Sequence, residues 1–213
     1  MVHKPKTWGF RLMKTILAPV FRLYYNPRII GKGNIPKKGA VVVSGNHKHV
    51  MDQCMAIIST SRPINYMAKA EYFNGSLAWF FEFSGCIKVN RNGDDSEAKA
   101  LANAVLSNGG ALGIFPEGTR NKTDNLIGEF KYGAASLACK NNAMMVPVAV
   151  TGEYKFRSKT LCARIGKPFS TEGMTVEQVN TRLRNEIIIL MNENISQGYA
   201  TEEELERAKR CAS

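Results

Sequence analysis

Ala40-Val41-Val42-Val43-Ser44-Gly45-Asn46-His47-Lys48-His49-Val50-Met51-Asp52 is the stretch on which the reading of this chain turns. Its four leading apolar residues, closed by Ser44 and Gly45, read as a short buried strand. The following Gln53-Cys54-Met55-Ala56-Ile57-Ile58 is apolar enough to begin a packed helix. On one continuous helix, His47 and Asp52 would lie about 140° apart. They meet only if His47 stands in the loop and Asp52 in the helix. A strand-to-helix junction supplies that geometry, and α/β sheets collect ligands at the carboxyl ends of their strands. An Asp that accepts one imidazole N–H fixes the tautomer and makes the other nitrogen a better base. A loop histidine beside an unrelated helix-start aspartate is the bland reading of the same spacing.

Outward from this junction the chain alternates strand and helix signals. Ile64 to Ala68, Cys86 to Val89, Ala111 to Phe115, Met144 to Val150 and Thr160 to Ile165 read as further strands. Pro147 argues for an edge position or a ladder break in its strand. Asp94 to Ser107 is an amphipathic helix stopped by Gly109-Gly110, and Lys131 to Lys140 is a Gly- and Ala-rich one. Thr175 with Gln178, and Thr201 with Glu204, are capping-box starts for two C-terminal helices. Glu71 to Phe83 is apolar nearly all round, which suits core packing or the wall of an acyl-chain groove. The expected fold is α/β, with a mostly parallel or mixed sheet flanked by helices. At 213 residues, one such domain over 31–213 follows a separate front segment, 1–30.

That front carries the charge asymmetry. Of the net +11, residues 1–51 contribute ten Lys or Arg and no acid, against 19 basic and 18 acidic residues beyond them. With about 100° per residue, Trp8, Leu12, Met13, Ile16, Leu17, Val20, Leu23 and Tyr24 share one face, and Arg11, Lys14 and Arg22 cluster on the other. Pro19 predicts a kink or two short helices. No run is long and apolar enough to span a bilayer, and no signal peptide is evident. Residues 7–25 are therefore expected to lie on an anionic membrane surface, although packing on the domain is an equally ordinary use of such a helix. Nucleic acid is not expected, because the aromatics do not interleave with the basic residues. Five scattered cysteines without a Cys-x-x-Cys pair point to a reducing compartment and exclude a zinc site of that pattern. His3, His47 and His49 make no metal ligand set.

Phe115-Pro116-Glu117-Gly118-Thr119-Arg120 closes the strand from Ala111. Gly113-x4-Gly118 imitates a phosphate loop, but Thr119-Arg120 stands where Lys-Ser/Thr is required, which excludes a nucleotide site. What remains is a carboxylate and a guanidinium flanking a glycine. Arg presents a planar fork to a phosphate, and Glu accepts from a hydroxyl. An internal Glu–Arg bridge is the bland alternative. Arg91, just past the Cys86–Val89 strand, is a second candidate phosphate fork.

Asn46-His47-x4-Asp52, Gly85 to Arg91, Phe115-Pro116-Glu117-Gly118-Thr119-Arg120 and Val146-Pro147-Val148-Ala149-Val150 together resemble the four ordered blocks of the 1-acylglycerol-3-phosphate acyltransferases. Phe130-Lys131-Tyr132-Gly133-Ala134 resembles the stretch found between the last two. The likeness covers residues 30 to 170. It departs at His49, where the family commonly has Ser, and His49 competes on spacing as a partner for Asp52.

The resemblance implies a glycerol-phosphate acyltransferase-like fold with an N-terminal membrane-binding segment. It implies His47 as general base on the free hydroxyl of a lysophosphatidic acid, with Asp52 orienting the imidazole. Arg91 and Arg120 would hold the phosphate and Glu117 the glycerol, with Gly118 and Thr119 of the same turn also binding substrate. The product would be phosphatidic acid. The co-substrate would be an acyl-CoA or acyl carrier protein thioester, with no cofactor or metal. The enzyme would sit peripherally or monotopically on the cytoplasmic face of a membrane. The absence of any Gly-x-Ser-x-Gly elbow agrees with direct transfer. Two alternatives stay open: another acceptor, such as glycerol-3-phosphate or a different lyso-lipid, or a non-catalytic module that binds anionic lipid.

Overall fold

Val41–Gly45 (β2), buried along its whole length, lies near the middle of a seven-stranded sheet ordered β1-β7-β6-β2-β5-β3-β4. The computed structural model describes residues 7–76, 78–90 and 95–212. The other strands are β1 (Arg28–Ile30), β3 (Asn65–Lys69), β4 (Ile87–Val89), β5 (Ala111–Ile114), β6 (Met144–Thr151) and β7 (Cys162–Ile165). β6, β2, β5, β3 and β4 run parallel; β7 is antiparallel to β6, and β1 is parallel to β7. The sheet is thus mixed. Strands so deeply buried need apolar side chains on both faces, as the Val41-Val42-Val43 run supplies.

Helices cover both faces. α4 (Ser96–Ser107), α5 (Gly133–Lys140) and α6 (Val176–Ser196) enclose one apolar core that contains Val42, Leu112, Met145 and Leu183. α2 (Asp52–Ser59) and α1 (Thr7–Tyr25) cover the other, built on Val41, Val43, Met55, Ile64 and Val146, with Phe21 and Tyr25 packed against it. α6 begins with the expected capping box of Thr175 and Gln178. α7 (Glu202–Ala212) follows it.

The structure corrects several local expectations. Arg28–Ile30, placed with the front segment, forms an edge strand of the sheet beside β7. α1 is one helix with Pro19 inside it, which removes the alternative of two short helices. Pro147 lies in an interior strand, where it takes the ladder-break option. Its carbonyl accepts from Gly166 N at 2.8 Å, and the absent N–H falls where β7 ends. The apolar stretch from Glu71 is not core. Asn74 and Gly75 divide it into a 3-10 turn, Ala70–Phe73, and a short helix, α3 (Ala78–Phe83), neither with a fully buried residue. Instead Phe81 gathers the other rings, with Tyr72 stacked on it, Phe73 tilted and Phe80 edge-on, and Trp79 is 61% exposed.

α1 is oriented against its charge pattern. Lys14 Nζ donates to Thr60 O and Arg22 Nη2 to Ile58 O, both at the carboxyl end of α2. Cations there complement the helix dipole and its unpaired carbonyls. Two of the three cations on the basic face therefore reach toward the end of α2, Arg22 while still exposed, and Leu12, Ile16, Leu17, Val20 and Leu23 point to solvent, Leu23 at 73% exposure. No helix among the described residues is long and apolar enough to cross a membrane.

Candidate active site

Because five strands are parallel, their carboxyl ends share one rim. That rim carries the residues after β2 (Asn46–Met51), after β5 (Phe115–Asn121) and after β6 (Gly152–Tyr154), together with Lys69 at the end of β3. Asn46 extends the β2–β6 ladder with its side chain, donating from Nδ2 to Val150 O (2.9 Å) and accepting from Val150 N (2.7 Å). Gly45 before it is required by close approach, since a Cβ there would fall 2.5 Å from Val148 O. Strand β2 thus ends rigidly, and the next residue is His47.

His47 Nδ1 lies 2.9 Å from Asp52 Oδ2, with His47 in the loop and Asp52 the first residue of α2. Asp52 is 1% exposed. Its Oδ2 also accepts from Lys48 N and His49 N, each at 2.7 Å, and its Oδ1 from Tyr154 Oη at 2.8 Å. Those three donors fit an ionised carboxylate, so Nδ1 carries the proton it donates and Nε2 is left for substrate. The imidazole stacks on Phe115 at 4.1 Å, which restrains its remaining rotation. His49 loses the competition for Asp52: its Nδ1 accepts from Met51 N (3.2 Å) and its ring stacks on Tyr154 (4.3 Å).

The segment Phe115–Asn121 reaches His47 at three points. Besides the ring stack, Glu117 Oε1 accepts from His47 N (2.7 Å), and Asn121 N donates to His47 O (2.7 Å). Glu117 Oε2 accepts from Gly128 N at 2.8 Å, so both oxygens of this buried carboxylate engage main chain. Burial pushes its pKa up, and the two N–H donors oppose that rise. Gly118 adopts φ +70°, under the side chain of Lys131. Thr119 and Arg120 are exposed at the rim, and the Arg120 charge acts on His49. Arg91 lies outside the described residues.

The His49 pKa is lowered, chiefly by burial and further by Arg120, Lys48 and His47, against the pull of Asp52. Cys54, in the first turn of α2, is no rival nucleophile: burial, with Asp52 adding to it, pushes its thiol up to about 12. A cavity of about 330 Å³ borders His47, His49, Glu117, Tyr154, Glu204 and Arg207. No group of His, Cys, Asp and Glu among the described residues is arranged to hold a metal.

Sequence reasoning missed four members of this rim. Lys69 ends β3 and pairs with Glu71 at 2.6 Å; its signal was a cation directly after the predicted Ile64–Ala68 strand. Gly128 has its own steric reason, since a Cβ there would sit 2.6 Å from Glu117 Oε2. Tyr154 arrives from a distant segment without a local signal, and Glu204 was readable only as half of the α7 capping box, with nothing in the sequence to tie it to this rim.

Over residues 26–151 the chain matches the acyltransferase family. It belongs to that family. This acyltransferase is 33% identical over 142 residues to the 1-acyl-sn-glycerol-3-phosphate acyltransferase of Borreliella burgdorferi, an alignment covering 65% of this chain and 56% of that one. It is 27% identical over 190 residues to the enzyme of the same name from Saccharomyces cerevisiae, covering 78% and 60%. The chain therefore spans little more than half the length of these relatives. The crystal structure of the 1-acyl-sn-glycerophosphate acyltransferase of Thermotoga maritima superposes with a TM-score of 0.69 at 21% identity, covering 84% of this chain and 76% of that one. That likeness establishes a shared fold.

Proposed function

We propose that this acyltransferase moves a fatty acyl group from a thioester to the sn-2 hydroxyl of 1-acylglycerol-3-phosphate, yielding phosphatidic acid. The observation that carries the reading is the 2.9 Å His47–Asp52 pair, clasped by Glu117 of the Phe-Pro-Glu-Gly-Thr-Arg turn. Nε2 of His47 takes the hydroxyl proton while that oxygen bonds to the thioester carbonyl carbon. Collapse of the tetrahedral adduct breaks the C–S bond, and the leaving sulfur recovers the proton from Nε2. The donor is an acyl-CoA or acyl carrier protein thioester. Arg120, with Arg91, is the proposed phosphate clamp; Glu117 acts as the brace of the base loop. General-base catalysis is worth about 10²–10⁴ in rate. Holding two substrates together contributes up to about 7–11 kcal/mol, so the clamp outweighs the base.

The proposed seat is the cytoplasmic surface of a membrane, consistent with the free thiols of Cys54, Cys86, Cys139 and Cys162. α1 meets lipid through its outward ridge, Leu12 to Leu23, more than through its cations. Thiol release from purified protein, lysophosphatidic acid and an acyl thioester tests the activity, with His47→Ala as control. Transfer retained in His47→Ala would overturn the mechanism. Preference for another acceptor in a panel would move the substrate assignment, and vesicle binding without thiol release would leave only a lipid-binding module.

A further inference from the structure

Glu204, near the start of α7, is buried and has four donors converging on its carboxylate. Thr201 N (2.8 Å) and Thr201 Oγ1 (3.2 Å) form its half of the α7 capping box, whose other half is Glu204 N donating to Thr201 Oγ1. The remaining two come from elsewhere: Gly152 N at 2.9 Å, from the turn after β6, and Lys48 Nζ. Lys48 Nζ also donates to Gly152 O at 2.6 Å, which closes a ring of three residues. Both outside partners belong to segments that supply Asp52. The main-chain N–H of Lys48 bonds Asp52 Oδ2, and Gly152 opens the turn that delivers the Tyr154 hydroxyl to Oδ1. The turn has no slack, because Gly152 is held at φ +83° and a Cβ there would fall 2.1 Å from Thr160 O.

We infer that Glu204 is a positioning residue for acyl transfer: by fixing Lys48 and Gly152 it keeps the His47–Asp52 pair in register, which makes the C-terminal helix part of the active-site scaffold. The inference rests on the acyl-transfer reading above. Helix capping alone does not account for the arrangement, since Gln closes such a box as well as Glu and needs no lysine. A partly buried ammonium–carboxylate contact also loses heavily when one partner is removed, because the other is left unpaired. Misplacement of about 1 Å at a base is enough to slow a reaction roughly 100-fold.

Glu204→Gln separates the two roles, since it retains the cap and an acceptor for Gly152 N but loses the charge that holds Lys48. In steady-state assays with lysophosphatidic acid and an acyl thioester, Glu204→Gln is expected to lower kcat about 10- to 100-fold. KM for both substrates should stay within about twofold, and so should all constants of the exposed control Glu206→Gln. Lys48→Met should match Glu204→Gln, and the double variant should be no slower than the worse single one, because both break the same link. The downfield Nδ1 proton resonance of His47 gives a readout independent of turnover, and should weaken or move in both variants. Wild-type kcat in Glu204→Gln, additive losses in the double variant, or an unmoved resonance would overturn the inference. A wild-type protein that releases no thiol would defeat the acyl-transfer reading instead, and the resonance would still decide whether Glu204 governs the His47–Asp52 pair.

Discussion

The carboxyl rim of the sheet and helix α1 use polar groups in opposite ways. At the rim, every oxygen of Asp52 and Glu117 is bonded to a fixed donor, so the base is held before any substrate arrives. On α1, Lys14 and Arg22 are spent on the end of α2, and the apolar ridge is what remains outside. The two regions touch at Tyr154, whose hydroxyl bonds Asp52 and whose ring meets Tyr25 at 5.6 Å. A preorganised site suits chemistry, and an unsatisfied apolar face suits a surface that arrives later. Charge pattern alone does not say which face of a helix is the working one.

The largest effect should come from breaking the rim. Asp52→Ala strands four hydrogen-bonding groups and frees the imidazole of His47, so kcat should fall about 10²–10⁴-fold, as for loss of a general base. It should also lower the melting temperature, because buried donors are left unpaired at about 1–3 kcal/mol each. Asp52→Ala with near wild-type turnover would mean that the rim is not preorganised for this base.

The same contrast sharpens on α1. Ile16→Glu with Leu23→Glu removes two exposed apolar side chains, each worth about 1.5–3 kcal/mol when buried in lipid. Vesicle co-sedimentation should drop by at least about 100-fold, with little change in melting temperature because neither side chain packs on the domain. Lys14→Met with Arg22→Met should do the reverse: the fold loses stability while vesicle binding and its salt dependence change little. If the cation pair controls vesicle binding, the outward ridge is not the docking face.

Glu117→Gln is expected to act at an intermediate level. One amide oxygen replaces two carboxylate oxygens, so either His47 N or Gly128 N faces an NH₂ group. The unpaired donor should destabilise the fold by about 1–3 kcal/mol, and kcat should fall about tenfold through misplacement of His47. A raised KM for lysophosphatidic acid at unchanged kcat would instead return Glu117 to direct contact with the glycerol.

How much of this was legible follows from range. The Val41–Asp52 junction was readable because strand, loop and helix start are contiguous, and only one placement lets His47 meet Asp52. The Phe115–Arg120 turn was readable as a site, but Glu117 looked like a ligand group because its partners, His47 N and Gly128 N, are main-chain donors without a sequence signature. The edge strand at Arg28 has only three residues, too few for periodicity, and exists because β7 offers an open edge. The orientation of α1 was not readable, since it depends on the carbonyls at the end of α2 that Lys14 and Arg22 reach. Tyr154 lies 102 residues from Asp52, and Glu204 lies 156 from Lys48 and 52 from Gly152, and tertiary packing alone brings them there.

The smallest expected effect concerns His49, the residue at which the sequence departs from the resemblance. Its folded-state pKa is depressed, first by burial and then by the Arg120, Lys48 and His47 charges, with Asp52 opposing. Between that lowered value and about 6.5, the ordinary histidine value, the unfolded chain binds a proton that the folded chain refuses. Stability therefore rises with pH through this window and is lost as pH falls through it. His49→Ser removes the titrating group. Melting temperatures taken from about pH 7 down to about pH 5 should fall less steeply in His49→Ser than in the wild type. At neutral pH the variant should be slightly less stable, because the stack on Tyr154 is gone. Parallel pH profiles would show that His49 keeps an ordinary affinity for protons despite its place against Tyr154, and that the cations around it are screened by solvent.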